Sequence, residues 1–409
     1  MEHPLPSERD NVLLLRCPPI ATVRIAFIGL GRRGKQSLNN YMHLSGVEIK
    51  AVCDLKEENL SEARGILEKH NNARVDEYTD ATAWKEICER PDIDLVYVCT
   101  SIRLHADIAV YAMTNGKHVA TEVPIANTLE DCWRIVNAAE KYRRHCIMLE
   151  NCCYGRFELA ALNMRSKGLL GDIVHAEGSY IHDLTSIDFG KRPDYAEHWQ
   201  VCGNPYPTHG LGPICQAMNI HRGDQLSWLV SVSNGQFCFP HIAEDGFRNT
   251  CVLGNMNTTI IKTKKNKTIV IQHDISSPRP YCRNYLLSGT KGFIQKATPP
   301  LVRIAEEISD GEKSAAALLE KYDHPFYKER GEQAVNIDTH EGMDFIMDYR
   351  LIYCLQHGLP LDMDVYDAVE WSSLVELTAL SICRGNVPVL IPDFTRGAWN
   401  ELQGLNFAK

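Results

Sequence analysis

The chain has 409 residues, with 43 basic and 52 acidic side chains and a formal net charge of −9. This length is greater than one hydrophobic core usually organises, so we expect two domains. Charged residues make up 23% of the chain and are spread along it, which argues against a nucleic-acid partner. No run of about 18 uncharged apolar residues occurs, so we expect no segment that spans a membrane.

The cysteine content indicates the compartment. The chain has 15 cysteines, and no two of them have the C-x-x-C spacing. We therefore expect a reducing environment, mostly buried thiols, and no zinc centre or other metal site. The apolar segment 12–15 is too short for the core of a signal peptide. A cytoplasmic location is expected, or an exported one if a leader has been removed.

The first predicted element is a buried strand over residues 23–28, directly followed by the glycine-rich hexapeptide Gly29-Leu30-Gly31-Arg32-Arg33-Gly34. This is a G-x-G-x-x-G pattern, and a helical stretch and a second strand over 47–53 come next. Asp54 ends that strand, 20 residues after the last glycine. In dinucleotide-binding folds an acid at this distance accepts hydrogen bonds from the adenosine ribose. The pattern predicts a bound dinucleotide, against the alternative of a glycine turn without a ligand.

The glycines of the hexapeptide have separate predicted tasks. Gly29 permits the tight turn, Gly31 lets the pyrophosphate approach the backbone, and the third glycine lets helix and strand pack closely. The helix N-terminus then faces the phosphates. Asp54 would repel a 2′-phosphate, which favours NAD over NADP. Arg32 and Arg33 keep NADP open as an alternative, since an arginine in this loop can receive that phosphate.

Strands and helices continue to alternate up to residue 150. Apolar strands at 95–99, 119–121 and 146–150 are separated by helical stretches, which indicates a parallel, doubly wound Rossmann sheet. We therefore predict an NAD-binding domain over residues 20–150. Ligands of such sheets bind at the carboxyl ends of the strands. The polar groups there are expected to face the cofactor, against the alternative of helix capping; they are Asp54, the segment 100–105, Glu122 and Asn151.

After residue 150 the alternation gives way to β-rich segments. A helix over 157–167 precedes a strand over 173–182. Further β-rich pieces lie at 228–239, 248–263 and 267–275. Several consecutive strands predict a largely antiparallel open sheet, so residues 151–400 are expected to form an α+β domain that binds the substrate.

Two late helical stretches, 339–357 and 364–384, carry apolar residues at helical spacing and are expected to cover this second sheet. The basic run between Lys262 and Lys267 is expected at a hairpin tip between two strands. The predicted fold class is α/β overall, with an N-terminal Rossmann sheet and a C-terminal α+β domain.

Three groups of polar residues in the second domain are candidates for chemistry. Tyr180 and His182 share one face of the predicted strand that precedes Asp183. Glycines and prolines predict a tight, exposed loop at Tyr206-Pro207-Thr208-His209-Gly210-Leu211-Gly212-Pro213. Phenols and imidazoles transfer protons near neutral pH, so the tyrosine and histidine of this loop are the strongest pair. Arg279-Pro280-Tyr281, between two β segments, is the third group.

At this point the sequence resembles a known family. The first domain resembles the Gfo/Idh/MocA oxidoreductases, although Val123 stands where ordinary sugar dehydrogenases carry a lysine. The helical Asp/His pair of those dehydrogenases is also replaced, by the segment 214–218. The chain as a whole resembles glycoside hydrolase family 109 through Glu122-Val123, Leu149-Glu150-Asn151, His182-Asp183-Leu184, the string from Tyr206 to Pro213, Asn219-Ile220-His221-Arg222-Gly223-Asp224 and Arg279-Pro280-Tyr281.

The resemblance implies a role for individual residues. NAD would be bound by the glycine loop together with Arg32, Arg33, Asp54, Ile102, Arg103, Leu104, His105, Glu122, Val123 and Asn151. His209 and Tyr206 would move protons at the C3 hydroxyl of a sugar, Tyr180 would act as the base at C2, and His182 would orient it. The sugar would be contacted by Tyr180, Trp199, Tyr206, Pro207, Thr208, His209 and Tyr281. One departure lies between Tyr195 and Asn204, where this chain is shorter than expected of the family.

The family reaction implied is redox-neutral glycoside cleavage. The sugar is oxidised at C3, the aglycone is eliminated, water is added and C3 is reduced again, with NAD as the retained hydride carrier. The expected substrate is a terminal N-acetylgalactosaminide of a glycan or small molecule, in the α configuration, and a homo-oligomer is expected. The alternatives are an NAD-dependent sugar dehydrogenase and a non-catalytic NAD-sensing regulator.

Overall fold

The computed structural model describes residues 11–70, 74–187, 197–238, 251–296, 300–304, 307–308, 312–337, 340–405 and 407. The chain divides into two compact units. The first, called the N-unit here, contains residues 11–151 and 330–369. The second, the C-unit, contains residues 152–329 and 370–405. The N-unit is therefore discontinuous in sequence, since its second segment follows most of the C-unit.

The N-unit contains a parallel sheet. Its elements up to residue 150 are β1 (Val23–Ile28), α1 (Arg32–Tyr41), β2 (Val47–Cys53), α2 (Glu57–Lys69), β3 (Asp76–Tyr78), α3 (Ala83–Glu89), β4 (Leu95–Val98), α4 (Ile102–Thr114), β5 (His118–Thr121), α5 (Leu129–Tyr142) and β6 (Cys146–Met148). The six strands are all parallel, in the order β3-β2-β1-β4-β5-β6. β4 and β5 are buried along their whole length, as in sheets with helices on both faces. The predicted Rossmann fold is confirmed, and its strand order reverses between β1 and β4, where such sheets bind ligands.

The C-unit contains a second, mixed sheet. The elements from residue 152 onward are α6 (Arg156–Ser166), β7 (Ile173–Ile181), α7 (Thr208–Met218), β8 (Leu226–Ser233), β9 (Asn257–Thr263), β10 (Thr268–Asp274), β11 (Tyr285–Gly289), β12 (Gly292–Gln295), β13 (Leu301–Ile304), β14 (Glu307–Ile308), α8 (Glu312–Lys321), α9 (Pro325–Ile337), α10 (Met343–His357), α11 (Val365–Cys383) and β15 (Val389–Leu390). Nine strands are ordered β14-β13-β12-β11-β7-β10-β9-β8-β15. They pair antiparallel except for β7 with β10. The largely antiparallel sheet is confirmed, and the basic run lies at the hairpin between β9 and β10 as predicted.

Two of the predicted elements differ from the structure. The segment from Tyr206 to Pro213, predicted as an exposed loop, instead leads into helix α7, whose residues are almost all buried. Residues 251–256, predicted as part of a strand, lie outside β9. The ends of the β-rich predictions at 239 and 248–250, position 339 of the late helix, and Tyr195 lie outside the described residues.

The late helices were expected to cover the second sheet together, and this is correct for only one of them. Helix α10 belongs to the N-unit, where it packs against α1 and β1. The part of α11 from residue 370 onward belongs to the C-unit and does cover its sheet, since the backbone N–H of Ser231 in β8 donates to Ser381 Oγ at 2.9 Å. No helix in the described ranges is long and apolar enough to cross a membrane.

A close approach of strand β7 and helix α7 determines which residues meet in the C-unit. A Cβ atom on Gly178 would lie 2.1 Å from the carbonyl oxygen of Gly210. Neither position therefore leaves room for a larger residue without a backbone shift. This contact brings the first turn of α7, which carries His209, against the strand that carries Tyr180.

Candidate active site

The glycine loop of the N-unit has the geometry that the sequence predicts. Gly29 has a φ of +92°, and a Cβ there would lie 2.4 Å from the carbonyl oxygen of Cys99. A Cβ on Gly34 would lie 2.1 Å from the carbonyl oxygen of Gly29, so the first turn of α1 packs directly on the loop. A Cβ on Gly31, by contrast, would meet no other atom of the described residues within 4 Å. The middle glycine therefore faces open space, which fits a position that a pyrophosphate approaches.

The N-terminus of α1 can receive an anion. Gly31 is its N-cap residue, and within the described ranges no side chain caps it. The first N–H groups of a helix have no partner within the helix, and together with the helix dipole they favour phosphate. The open space above Gly31 and this uncapped N-terminus fit the pyrophosphate of a dinucleotide.

Asp54 lies directly beside this loop. Its Oδ2 accepts a hydrogen bond from the backbone N–H of Leu30 at 2.6 Å. Its Oδ1 accepts from the N–H of Lys56 and from Asn59 Nδ2, both at 2.9 Å. These contacts fix the carboxylate at the end of β2, where the ribose-binding acid of a Rossmann fold is expected.

Arg33 is held between two carboxylates. Its Nε and Nη2 donate to Glu122 Oε1 at 3.1 and 2.9 Å, and its Nη1 and Nη2 donate to the two oxygens of Asp344 at 2.8 and 3.0 Å. Burial alone would lower the pKa of Arg33, but these two carboxylates raise it well above the ordinary value. Arg33 is therefore charged, and four of the five N–H bonds of a guanidinium are already used. This arrangement favours NAD, because it leaves Arg33 little capacity for a 2′-phosphate.

The remaining residues predicted to bind the cofactor fall into two sets. His105 is buried, with Nδ1 2.9 Å from the carbonyl oxygen of Pro124 and Nε2 3.0 Å from that of Thr100. Its ring therefore lies between two backbone carbonyls, and burial lowers its pKa, which favours a neutral imidazole that donates to one of the two. The three residues before it lie at the start of α4 and keep exposed surface; they are Ile102, Arg103 and Leu104.

Next to the Arg33 cluster, helix α10 carries a second buried acid. Tyr97 OH donates to Asp348 Oδ1 at 3.2 Å. Burial raises the pKa of Asp348 well above its usual range, and the nearby charge of Asp344 adds to this. The folded protein therefore keeps a proton on Asp348 that the unfolded chain releases. Stability consequently falls as the pH rises from about 4 towards the raised pKa.

Replacing Asp348 by asparagine should remove this pH-dependent loss and keep an acceptor for Tyr97. We expect Asp348→Asn to raise Tm at pH 8 by about 2–4 °C, which corresponds to about 1 kcal/mol for a unit of this size. The gain should be smaller at pH 5, because keeping the proton on the buried carboxyl costs less free energy close to the pKa of the unfolded chain. Thermal unfolding of the wild type and the variant at the two pH values tests this prediction. No gain in Tm at pH 8, or the same gain at pH 5 and pH 8, would contradict it.

In the C-unit, seven ring-bearing residues form one group around Tyr180. The ring centroid of Tyr180 lies 5.1 Å from that of Tyr206 and 5.4 Å from that of His209, and the rings of Tyr206 and His209 are 4.7 Å apart. Tyr180 OH is 3.1 Å from His182 Nδ1, within hydrogen-bond distance. We call this group the aromatic cluster; it consists of Tyr180, His182, His198, Tyr206, His209, His273 and Tyr281.

Three backbone features place the cluster. The parallel pairing of β7 with β10 sets His273 opposite Tyr180, with ring centroids 6.1 Å apart and the rings stacked. The contact between Gly178 and Gly210 sets the start of α7 beside the same strand. Before that helix, the backbone N–H of Tyr206 donates to Asn204 Oδ1 at 3.0 Å. Asn204 is itself fixed, because its own N–H donates to Thr378 Oγ1 of α11 at 2.9 Å.

Two imidazoles of the cluster have lowered pKa values, which favours their neutral forms near pH 7. Burial lowers the pKa of His182, partly offset by the charge of Asp183. Burial, with a smaller effect of His198, lowers the pKa of His273 to about 3. A neutral His182 can accept the phenolic proton of Tyr180 in a hydrogen bond, as the distance between them allows. The cluster can therefore transfer protons at a bound hydroxyl or C–H group, and its rings offer flat surfaces to a sugar.

Three of the predicted sugar contacts are buried in this structure: Trp199, Pro207 and Thr208. Trp199 has no exposed surface, and its indole packs with Leu184, Leu253 and Ile275 in a core cluster against which Tyr180 also packs. Thr208 is fully buried as well. In this structure Trp199 therefore supports Tyr180 from behind, and its contact with a sugar stays a prediction. Tyr281 is 56% exposed, so part of its ring surface is accessible to a substrate.

The sequence interpretation did not identify two residues that the structure brings to these sites. His273 joins the aromatic cluster, and its position on a strand parallel to β7 is a feature that only the strand pairing shows. Asp344 joins the Arg33 cluster from a segment more than 300 residues away in sequence. An isolated acid in a helical stretch carries no signal of such a role.

Comparisons with known proteins identify the class to which this fold and these sites belong. Residues 23–150 match the model of the oxidoreductase family with an NAD-binding Rossmann fold, and residues 154–401 match the C-terminal domain of glycosyl hydrolase 109. Levoglucosan dehydrogenase, solved with NADH and levoglucosan, has a similar fold, with a TM-score of 0.68 over 91% of this chain and 100% of that chain at 17% identity. The class is that of two-domain NAD-binding proteins of the Gfo/Idh/MocA type.

Relatives with higher sequence identity specify the family. "Glycosyl hydrolase family 109 protein 2" of Phocaeicola vulgatus is 49% identical over 412 residues, which cover 96% of this chain and 100% of the relative. "Alpha-N-acetylgalactosaminidase" of Bacteroides fragilis is 49% identical over 411 residues, which cover 96% of each chain. The chain belongs to glycosyl hydrolase family 109, and it is an NAD-dependent glycoside hydrolase.

Proposed function

We propose that the protein removes terminal N-acetylgalactosamine from α-glycosides by oxidation at C3, elimination, water addition and re-reduction. The observation that carries this proposal is the aromatic cluster, which assembles phenols and imidazoles in a chain whose other unit has a dinucleotide-binding loop. Conventional glycosidases use a pair of carboxylic acids about 5–10 Å apart instead. The choice of sugar is supported by the relative named alpha-N-acetylgalactosaminidase.

In this proposal the cofactor supplies one function, which is to accept a hydride from C3 of the sugar and later return it. The residues of the NAD site, above all Asp54, Glu122 and Asn151, hold and orient it. His209 and Tyr206 remove the proton of the C3 hydroxyl and return it at the end of the cycle. Their rings lie 4.7 Å apart, so they can serve the same hydroxyl.

Tyr180 is the proposed base at C2. A C3 carbonyl acidifies the C2 proton, and removal of that proton expels the aglycone from C1. A phenol is a weak acid with a pKa near 10 when free, so its deprotonation needs help from its surroundings. The 3.1 Å contact with His182 provides an orienting partner for the phenol. Tyr281, whose ring lies 6.4 Å from that of Tyr180, would line the sugar site.

Cleavage of p-nitrophenyl α-N-acetylgalactosaminide in deuterium oxide tests the mechanism. We expect release of p-nitrophenol, deuterium at C2 of the product sugar, and no net change in NADH absorbance. Cleavage without deuterium exchange would overturn the elimination step. Stoichiometric NADH formation would instead indicate a sugar dehydrogenase, and NAD binding without any turnover would indicate a non-catalytic regulator.

We further propose that a second copy of the chain covers the open face of the C-unit sheet. Val230, Ile260 and Val270 lie side by side on β8, β9 and β10 and form an apolar row on the face opposite the buried Ile261 and Ile269. Ile260 is 44% exposed. Light scattering on the wild type and on Ile260→Lys should show a dimer or larger oligomer that the charge disrupts. All fifteen cysteines lie in the described part of the chain and none of them is in a disulfide, and we propose a reducing compartment such as the cytoplasm.

A further inference from the structure

The first turn of helix α10 places one carboxylate at the centre of the Arg33 cluster. Asp344 is 1% exposed, and it accepts hydrogen bonds from Arg33 Nη1 at 2.8 Å and Nη2 at 3.0 Å. It also accepts from Asn151 Nδ2 at 2.8 Å, and its Oδ2 is 2.7 Å from His340 Nδ1. The carboxylate therefore contacts side chains from three separate segments of the N-unit.

The partners of Asp344 are residues that we assign to the NAD site on other grounds. Arg33 lies in the glycine hexapeptide, and Asn151 lies just after β6. Glu122, just after β5, contacts the same guanidinium through its Oε1. Asp344 thus bonds two predicted cofactor residues directly and is linked to a third through Arg33. It comes from a segment outside the matched NAD-binding domain, which ends at residue 150.

We propose that Asp344 is a positioning residue of the NAD site. It fixes Arg33 and Asn151, and through Arg33 it fixes Glu122, so that these groups meet the cofactor in one arrangement. The proposal deepens the proposed function and depends on the residues assigned there to NAD.

The electrostatics agree with this role. Burial alone would raise the pKa of Asp344, but the charge of Arg33 and the contact with His340 lower it well below the usual range. Asp344 is thus a buried charge that is fully partnered, and removing one member of such a group leaves its partner uncompensated. Loss of the Asp344 charge would free Arg33 to bond elsewhere and would leave the amide of Asn151 without this acceptor.

NAD binding measured by calorimetry on the wild type, Asp344→Asn and Asp344→Glu tests the proposal. The asparagine variant keeps the shape but loses the charge, and we expect its Kd for NAD to rise by about 10-fold to 100-fold. The glutamate variant keeps the charge, and its Kd should rise less; thermal unfolding of each variant without NAD checks that it is folded. Glycosidase activity at saturating NAD should recover most of the wild-type kcat in both variants.

The matched control is Asp348→Asn, which changes an acid one turn further along the same helix that does not bond these cofactor residues. Its Kd for NAD should equal that of the wild type within about twofold. Wild-type NAD affinity in both Asp344 variants would overturn the inference, as would an equal loss in the Asp348 variant. Failure of the wild type itself to bind NAD would instead reject the cofactor site on which the proposal rests.

Discussion

Replacing His209 by alanine is expected to lower kcat on an aryl N-acetylgalactosaminide by about 10²- to 10⁴-fold, the usual contribution of a general acid–base group. The reason is its place in the aromatic cluster, where its ring lies 4.7 Å from that of Tyr206 and 5.4 Å from that of Tyr180. The affinity for NAD should be unchanged, because the residues that we assign to the cofactor are in the N-unit. Steady-state kinetics and calorimetry with NAD on the same preparation measure both effects.

A matched control comes from the same sheet. His175 lies on β7 but on the opposite face from Tyr180, and its Nδ1 is 2.8 Å from Thr268 Oγ1. His175→Ala should keep wild-type kcat within about twofold, since it removes an imidazole that does not belong to the cluster. Wild-type activity in His209→Ala would exclude this histidine from the proton transfers. An equal loss in both variants would indicate a general effect of removing a histidine from the unit.

The local features of the NAD site could be predicted from the sequence because each depends on a short stretch of chain. The three glycines lie within six residues, and the space around each of them in the structure matches its predicted task. Asp54 follows its strand directly, so its position depends only on the alternation of strand and helix. The parallel sheet could be predicted for the same reason, since short βα repeats leave few alternative topologies.

The features that could not be predicted depend on pairings between distant segments. The amphipathic pattern of residues 343–357 indicates a helix, but it does not indicate which sheet the helix covers. The role proposed for Asp344 depends on the packing of this helix in the N-unit, so the sequence pattern could not predict it. Trp199 shows the same limit, because its position in a recognisable segment suggests a sugar contact but does not show that its indole lies in the core cluster. Motifs identify residues near a site, whereas burial decides which of them a ligand can reach.

Replacing two glycines of the same hexapeptide should separate packing from cofactor binding. In Gly34→Ala the new Cβ would lie 2.1 Å from the carbonyl oxygen of Gly29, so helix and loop must move apart. We expect the free energy of unfolding to fall by about 2–3 kcal/mol, as for other overpacked positions. In Gly31→Ala the new Cβ meets no other atom within 4 Å in the part of the chain that the structure describes, and the backbone at this residue has a φ of −61° that alanine adopts freely. Its Tm without cofactor should therefore equal that of the wild type.

Gly31→Ala should weaken NAD binding even though it leaves stability unchanged. A methyl group there occupies the space proposed for the pyrophosphate, and we expect the Kd to rise by at least about tenfold, or about 1.4 kcal/mol. Gly65→Ala is the control, since this glycine lies inside α2 with nothing within 4 Å of its new Cβ. It should keep wild-type affinity and gain about 0.5–1 kcal/mol of stability. Wild-type NAD binding by Gly31→Ala would place the pyrophosphate elsewhere, whereas an unchanged Tm in Gly34→Ala would contradict the close contact of α1 with the loop. Gly31→Ala is expected to change only NAD binding, whereas Gly34→Ala is expected to change stability. Thermal unfolding and calorimetry on both variants therefore show whether the open space above Gly31 is the cofactor site.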